Sequence, residues 1–164
     1  MLVEQYSSTL FGTAYLIMRD KGLAEDAVQE ALIQIWKHLP VFRLQSSLKT
    51  WLVRIVINEV KQQIRRKKPI MIPLESANDE AGSLDEPEAA LIRSEERDSL
   101  RQALGRLQPE QRETVVLRYY SELTVPEIAA VTGQREGTIK SRLSRALDRL
   151  GEILRNDRAW DEGR

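Results

Sequence analysis

The stretch TVPEIAAVTGQREGTIKSRLSRALDRL, Thr124 to Leu150, constrains this chain most, because it prescribes two helices and a tight turn between them. Thr124 followed three residues later by Glu127 is a capping-box start, and Pro126 falls in a first turn whose amide protons have no helical partner. The helix is cut at Thr132-Gly133, where glycine supplies the backbone freedom a tight turn needs. A second helix begins near Arg135 and runs past Leu150. In it Ile139, Leu143, Ala146, Leu147, Leu150 and Leu154 recur at the three- and four-residue spacing of one buried stripe. The opposite face is left to Thr138, Ser141, Ser144 and Arg145, with Lys140, Arg142 and Arg149 on its flanks.

Two helices joined by a glycine turn, the second with a small polar and basic outer face, make the helix-turn-helix that sets a recognition helix in the major groove. Ala129 sits where the helices approach closely, and Ile139 is the first core anchor of the second. An ordinary helical hairpin with a solvated charged face fits the same pattern. The side-chain types favour DNA: the planar fork of arginine suits phosphates and guanine edges, and Thr138 and Ser141 are short enough for close approach.

Overall charge hides this, since 25 basic residues balance 25 acidic ones. The charge is segregated by block. Arg43 to Lys68 holds eight basic residues against Glu59 alone, whereas Leu74 to Asp98 holds nine acidic residues against Arg93 and Arg97. The segment is therefore the useful unit. With no cysteine and one histidine, disulfides and thiolate metal sites are excluded and a histidine-based metal or catalytic site is disfavoured. Neither an enzyme nor a cofactor is expected. No apolar run approaches membrane-spanning length and the N-terminus lacks a signal-peptide pattern, so a cytoplasmic chain without membrane insertion is expected. Strand-like alternation is absent over most of the length, and the fold class is all-α.

From the N-terminus, Val3 to Arg19 carries Tyr6, Leu10, Phe11, Ala14, Tyr15 and Met18 at helical spacing, and Asp20-Lys21-Gly22 reads as a turn. A second helix follows with Ala24, Ala27, Val28, Ala31, Leu32, Ile35, Trp36 and Leu39 on one face, and Pro40 stops it. Glu25 and Asp26 are expected in its first turn, where the dipole favours them. Their polar row, through Gln29, Glu30, Gln34 and Lys37, is also a surface that can dock a partner. His38 reads as a dipole partner at the helix end.

Ser46 or Ser47 caps a third helix, LKTWLVRIVINEVKQQIRRKK. Leu52, Val53, Val56, Ile57, Val60 and Ile64 fill its inner face; Arg54, Asn58, Lys61, Gln62, Arg65 and Lys68 share the other. Trp51 borders that basic face, and an aromatic beside cations and amides suits single-stranded nucleic acid. A tryptophan buried in the core is the competing reading. Pro69 to about Pro87 has three prolines, a glycine and no sustained periodicity, which reads as a flexible acidic linker. Periodicity resumes through Leu91, Leu100, Ala103, Leu104 and Leu107, and Pro109 opens a helix in which Thr114 to Leu117 and Tyr119 are expected to pack inward.

Three of these stretches, AEDAVQEALIQIWKHLPVF, SLKTWLVRIVINEVKQQIRRKK and ALGRLQPEQRETVVLRYYSELTVPEIAAVTGQREGTIKSRLSRALDRL, together resemble the sigma-70 family of bacterial RNA polymerase sigma factors, in its extracytoplasmic-function (ECF) group. The resemblance implies two small helical domains: region 2 over residues 1–68 and region 4 over 89–156, joined by the acidic linker 69–88 and followed by a polar tail, 157–164. It implies promoter-specific initiation within the polymerase, the minus-ten element read by region 2 and the minus-thirty-five element by region 4. By position, Asp26, Gln29 and Glu30 match the motif that docks on the β′ clamp helices. Arg54, Asn58, Lys61 and Arg65 fall in the promoter-reading and melting helix, and the loop at Phe42 to Ser47 in the part that holds a flipped base. Gly137, Thr138, Lys140, Ser141, Arg142 and Arg145 fall in the recognition helix. The implied partners are core polymerase (β′ clamp helices and β flap), promoter DNA and an anti-sigma factor.

Two other readings compete. One is a self-sufficient dimeric helix-turn-helix regulator, against which stand the second basic module and the lack of an effector domain. The other is an RNA-binding or nuclease-type protein, disfavoured because no carboxylate cluster is spaced for metal ions. The twenty residues from Pro69 to Glu88 reach roughly 70 Å when extended at about 3.5 Å each. That spans about 20 base pairs of duplex, enough for modules on separate promoter elements. The same segment, averaging about 25 Å as a coil, is short enough to fold back over the basic helix and mask it, or to remain a solvated spacer.

Overall fold

The computed structural model describes residues 2–67 and 88–163. All regular structure among them is helical. Helix α1, Leu2–Met18, buries Leu10, Thr13, Ala14 and Ile17. It ends where Arg19 takes a left-handed φ of 55°. Asp20 then caps α2, Lys21–His38, its carboxylate accepting from the Leu23 amide at 2.9 Å. That cap moves the helix start ahead of the expected point, so Glu25 and Asp26 lie in the second turn rather than the first. A cap of this kind is worth about 1 kcal/mol. Ala24, Ala27 and Ala31 are fully buried, and these small side chains let α1 and α3 lie close to α2.

A 3₁₀ turn, Leu39–Val41, follows α2 at Pro40. Ser47 opens α3, Leu48–Lys67, by accepting from the Thr50 amide at 3.1 Å. Leu52, Val53, Val56, Ile57 and Val60 are buried as expected. Ile64 is not: it is 48% exposed, and the buried line continues through Gln63, one heptad beyond Val56. At 20 residues α3 outruns α1 and α2, at 17 and 18, which leaves its last turns less to pack against.

Residues 68–87, and with them all of the expected linker except Glu88, lie outside the described residues, as does the side chain of Leu91. Helix α4, Glu88–Gly105, buries Ala103 and Leu104, with Leu107 just beyond it; Leu100 stays 43% exposed. Helix α5, Pro109–Val115, widens into a π-turn over Val116–Tyr120, closed by the Ser121 amide on the Val116 carbonyl at 3.0 Å. Five-residue spacing sets Ser121 above Val116, where an α-turn would have carried Tyr119 inward. Tyr119 is accordingly 56% exposed, contrary to the periodicity, while Ser121 is fully buried.

Helices α6, Val125–Thr132, and α7, Glu136–Glu162, complete the chain. Among its described side chains, the buried points of α7 are Ile139, Ala146 and Ile153, with Leu143 and Leu150 half-buried between them. That alternation of four and three is a narrow two-per-heptad seam, so Leu147, beside it, is left 40% exposed. The expected polar tail continues α7 to Glu162. One core cluster joins Ala103, Leu104, Leu107, Val115, Ala146 and Ile153. The other joins α1, α2 and α3 to Val116, Leu117, Leu123, Ile128, Val131 and Ile139, so the two helical units share a core.

Candidate nucleic-acid and docking surfaces

Three polar helix faces emerge from this packing. On α2, Asp26, Gln29 and Glu30 are exposed opposite the buried alanines. Trp36, expected inside, is 78% exposed, and Ile33 is 47% exposed. Ile33 is one heptad from Asp26 and Trp36 one heptad from Gln29, so both extend the polar row. That spacing was present in the sequence and points outward; hydrophobicity alone pointed inward. His38, in the last turn, pairs through Nδ1 with the Gln34 carbonyl at 2.8 Å, as fits a helix-end partner.

The second face is on α3. Phe42, from the loop before it, lies on Trp51 with ring centroids 4.7 Å apart and planes tilted by 34°. Trp51 is half-buried, and so neither a core residue nor a free platform. The two rings line a cavity of about 890 Å³ together with Gln34, His38, Arg54 and Asn58. Arg54, Asn58 and Arg65 are exposed, and Arg54 also donates to the Ala130 carbonyl of α6 at 2.9 Å. Lys61 lies 3.6 Å from Glu113, an ion pair too long for a hydrogen bond. Two polar residues that the periodicity does not single out, Glu59 and Gln63, are buried here, 7% and 8% exposed.

The third face is the helix-turn-helix. The Thr124–Glu127 capping box forms in both directions, and Gly133 takes φ 70°, where a Cβ would be strained. Arg135 stands at the N-cap of α7 without a side-chain cap bond. Gly137, Lys140, Ser141 and Arg145 are exposed; Thr138 and Arg142 are half-buried. The Ser141 hydroxyl donates to the Gly137 carbonyl at 2.9 Å, which leaves its lone pairs outward. Lys140 and Arg145 pair with no carboxylate among the described residues, a state suited to an anionic polymer.

Two carboxylates lie between α3 and the second unit. Burial pushes Glu113 above the usual carboxylate range, with Lys61 pulling the other way and Arg142 adding a smaller pull; one Glu113 oxygen, Oε1, has no hydrogen-bond partner. Glu127 is held below that range, first by the hydrogen bond it accepts from Thr50 and then by those from Thr124 and the nearby Lys49.

The family described as Sigma-70 region 2 matches residues 2–70, and Sigma-70, region 4 matches 97–150. The chain belongs to the sigma-70 family, in its ECF group. This sigma factor is 29% identical to the ECF RNA polymerase sigma factor SigW of Bacillus subtilis, over 94% of this chain and 88% of the relative. It is 30% identical to the RNA polymerase sigma-H factor of Pseudomonas aeruginosa, over 94% and 84%. Among solved structures, the sigma factor RpoE of Bartonella quintana, crystallised with the anti-sigma factor NepR, aligns with a TM-score of 0.73 and 30% identity over 93% of this chain and 94% of that one. The α2 and α3 faces fall within region 2 and the helix-turn-helix within region 4. The sigma factor is thus a transcription initiation factor, and no described helix is long and apolar enough to cross a membrane.

Proposed function

We propose that this sigma factor docks on the β′ clamp helices of core polymerase through Asp26, Gln29 and Glu30, with Trp36 as an apolar anchor in the same row. Arg54, Asn58, Lys61 and Arg65 then hold the opened minus-ten element, with a splayed base received beside Phe42 and Trp51. Gly137, Thr138, Lys140, Ser141, Arg142 and Arg145 read the minus-thirty-five duplex, while region 4 contacts the β flap. The boundaries proposed are 1–68, 69–88 and 89–156, with α7 carried on through the segment 157–164 as far as Glu162. The protein acts in the cytoplasm, as a specificity subunit and not as an enzyme, and is held in reserve by an anti-sigma factor. The observation that carries this reading is the presence of both regions in one chain, each with a helix that bears a polar and basic face. A lone operator-binding protein has no use for the first.

Run-off transcription with purified core polymerase tests it. Asp26→Lys or Glu30→Lys should remove co-elution with core enzyme and at least nine-tenths of the transcript, with helix content unchanged because both side chains are exposed. Full holoenzyme assembly by both variants refutes the docking assignment.

A further inference from the structure

The cavity beside Phe42 and Trp51 runs on past the aromatic pair, and its far end is polar. Its α3 wall includes Trp51, Ile55, Glu59, Gln62 and Arg66, which follow one another in three- and four-residue steps along one helix face. From Trp51 to Glu59 is about 12 Å along the axis at 1.5 Å per residue, so a base laid on the two rings leaves the Glu59 carboxylate out of hydrogen-bond range. The cavity volume of about 890 Å³ lies towards the upper end of the roughly 300–1,000 Å³ of small-molecule sites. It has room for a second base. Glu59 is 7% exposed and stands in mid-helix, where no helix end needs a carboxylate. Among the described residues it has neither a hydrogen bond nor an ion pair. A buried carboxylate without a partner costs free energy that packing does not return, and Glu59 opens on the cavity, where a ligand can supply the partner. Gln62, one turn on, is exposed, and its Oε1 accepts from the Arg66 guanidinium at 3.3 Å. That leaves the Gln62 amide NH₂ as a donor. Two acceptor oxygens and a donor therefore stand within one turn of α3.

We propose that this end of the cavity reads an unstacked guanine of the opened strand, with Glu59 accepting from its N1–H and N2–H groups and Gln62 donating to its O6. The inference rests on the reading of α3 as the face that holds opened DNA, and it adds a second base site to the one beside the rings. Unstacked bases are told apart on their Watson–Crick edges. Guanine is the one base of the four with two adjacent N–H donors there, flanked by a carbonyl oxygen. Cytosine and adenine set a single amino group beside a lone-pair nitrogen, and thymine sets one N–H between two carbonyls, so each turns a lone pair towards a Glu59 oxygen. The neighbouring guanidinium groups of Arg54 and Arg66 line the same cavity and offset the carboxylate against the phosphates of the strand.

The test is selection by holoenzyme, assembled from this chain and core polymerase, on single-stranded oligodeoxynucleotides with a randomised stretch, the bound fraction being sequenced. The unaltered protein should show one position at which guanine exceeds every other base by about ten-fold, the discrimination of a good bidentate pair. Glu59→Gln trades one acceptor for a donor at constant shape, and should cut that preference to about two-fold or less while other positions keep theirs. Gln62→Glu, at an exposed position, should do the same by removing the donor to O6. Hypoxanthine at that position lacks the N2 amine; it should bind the unaltered protein about five-fold more weakly than guanine does, and the Glu59→Gln protein equally well. A guanine preference that survives either substitution, a preference for another base that depends on Glu59, or equal binding of hypoxanthine and guanine overturns this site and leaves α3 as the DNA face. Retention of no oligonucleotide at all sinks the role of α3 in holding opened DNA, and the guanine site with it.

Discussion

The two basic helix faces of this sigma factor are built alike and end differently. Both α3 and α7 set arginine, lysine and short polar side chains opposite an apolar stripe. In α7, Lys140 and Arg145 stand free of carboxylates among the described residues, whereas in α3 Arg54 and Lys61 already have partners from region 4. The difference comes from packing. The α6–α7 pair is held from its inner side by α5 and the π-turn, which leaves the outer face of α7 to solvent. The corresponding side of α3 receives α6 itself. A basic helix face therefore states a capacity for phosphate, and the neighbouring element decides whether that capacity is open.

The largest expected effect breaks the shared core. Ile128 is fully buried in the cluster that joins both units, and Ile128→Ala should cost about 2–5 kcal/mol. Because the cluster is common, far-ultraviolet circular dichroism and the fluorescence of Trp51, read with Trp36 and Trp160 replaced by Phe, should change together at a lower denaturant midpoint. Ile153→Ala, in the cluster built mainly by α4, α5 and α7 with Leu16 of α1 against it, should instead spare the environment of Trp51 at intermediate denaturant. If both variants unfold with the same Trp51 transition, the two cores are not distinct.

A smaller effect sharpens the contrast between the two faces. In the free protein, Arg145→Ala should weaken duplex binding by about 1–3 kcal/mol if it reads a base, or lower the salt slope by about one unit if it meets a phosphate. Arg54→Ala should weaken free-protein binding less than Arg145→Ala does, since one of its guanidinium N–H groups is already given to the Ala130 carbonyl, and should reduce open-complex formation in holoenzyme. Equal losses in the free protein would mean that α3 is as open as α7.

The smallest effect is in pH. Glu113 has a raised folded pKa, so the folded state holds a proton that the unfolded chain has released. Its contribution to stability falls as pH rises from the ordinary carboxylate value to the raised one. Glu127 has a depressed folded pKa, and its contribution is present above the ordinary value and is lost as pH falls through the folded one. Urea midpoints followed across the acid range should therefore drop on both sides of the ordinary carboxylate value. Glu113→Gln should remove the loss on the alkaline side alone; a profile unchanged by that substitution contradicts the buried carboxylate.

Much of this was legible in the chain. The Thr124–Glu127 box, Gly133 in the turn, Pro109 opening α5, Ser47 ahead of α3 and the alanine strip of α2 are local signals, decided by backbone hydrogen bonds and side-chain volume within a few residues. The misplacements share a cause. Trp36, Ile64, Tyr119 and Leu147 are apolar and lie near the stripe, which by itself points them inward, yet all four are exposed. Their exposure depends on how far the neighbouring helix extends, how narrow the seam is, and whether a turn is α or π.

What the sequence by itself determined is the set of capped helices, their apolar stripes and the two polar-basic faces, since each follows from periodicity and capping inside one element. It also carried the family, through motifs in order along both regions. Only the tertiary structure decided that Arg54 and Lys61 meet Ala130 and Glu113, that Glu127 serves both its own helix cap and Thr50, and that Thr13 bonds Ser121. These contacts join residues from 52 to 108 positions apart in the chain. No periodicity in one helix records which face of another will land on it, because that choice belongs to the sum of packing across the whole core.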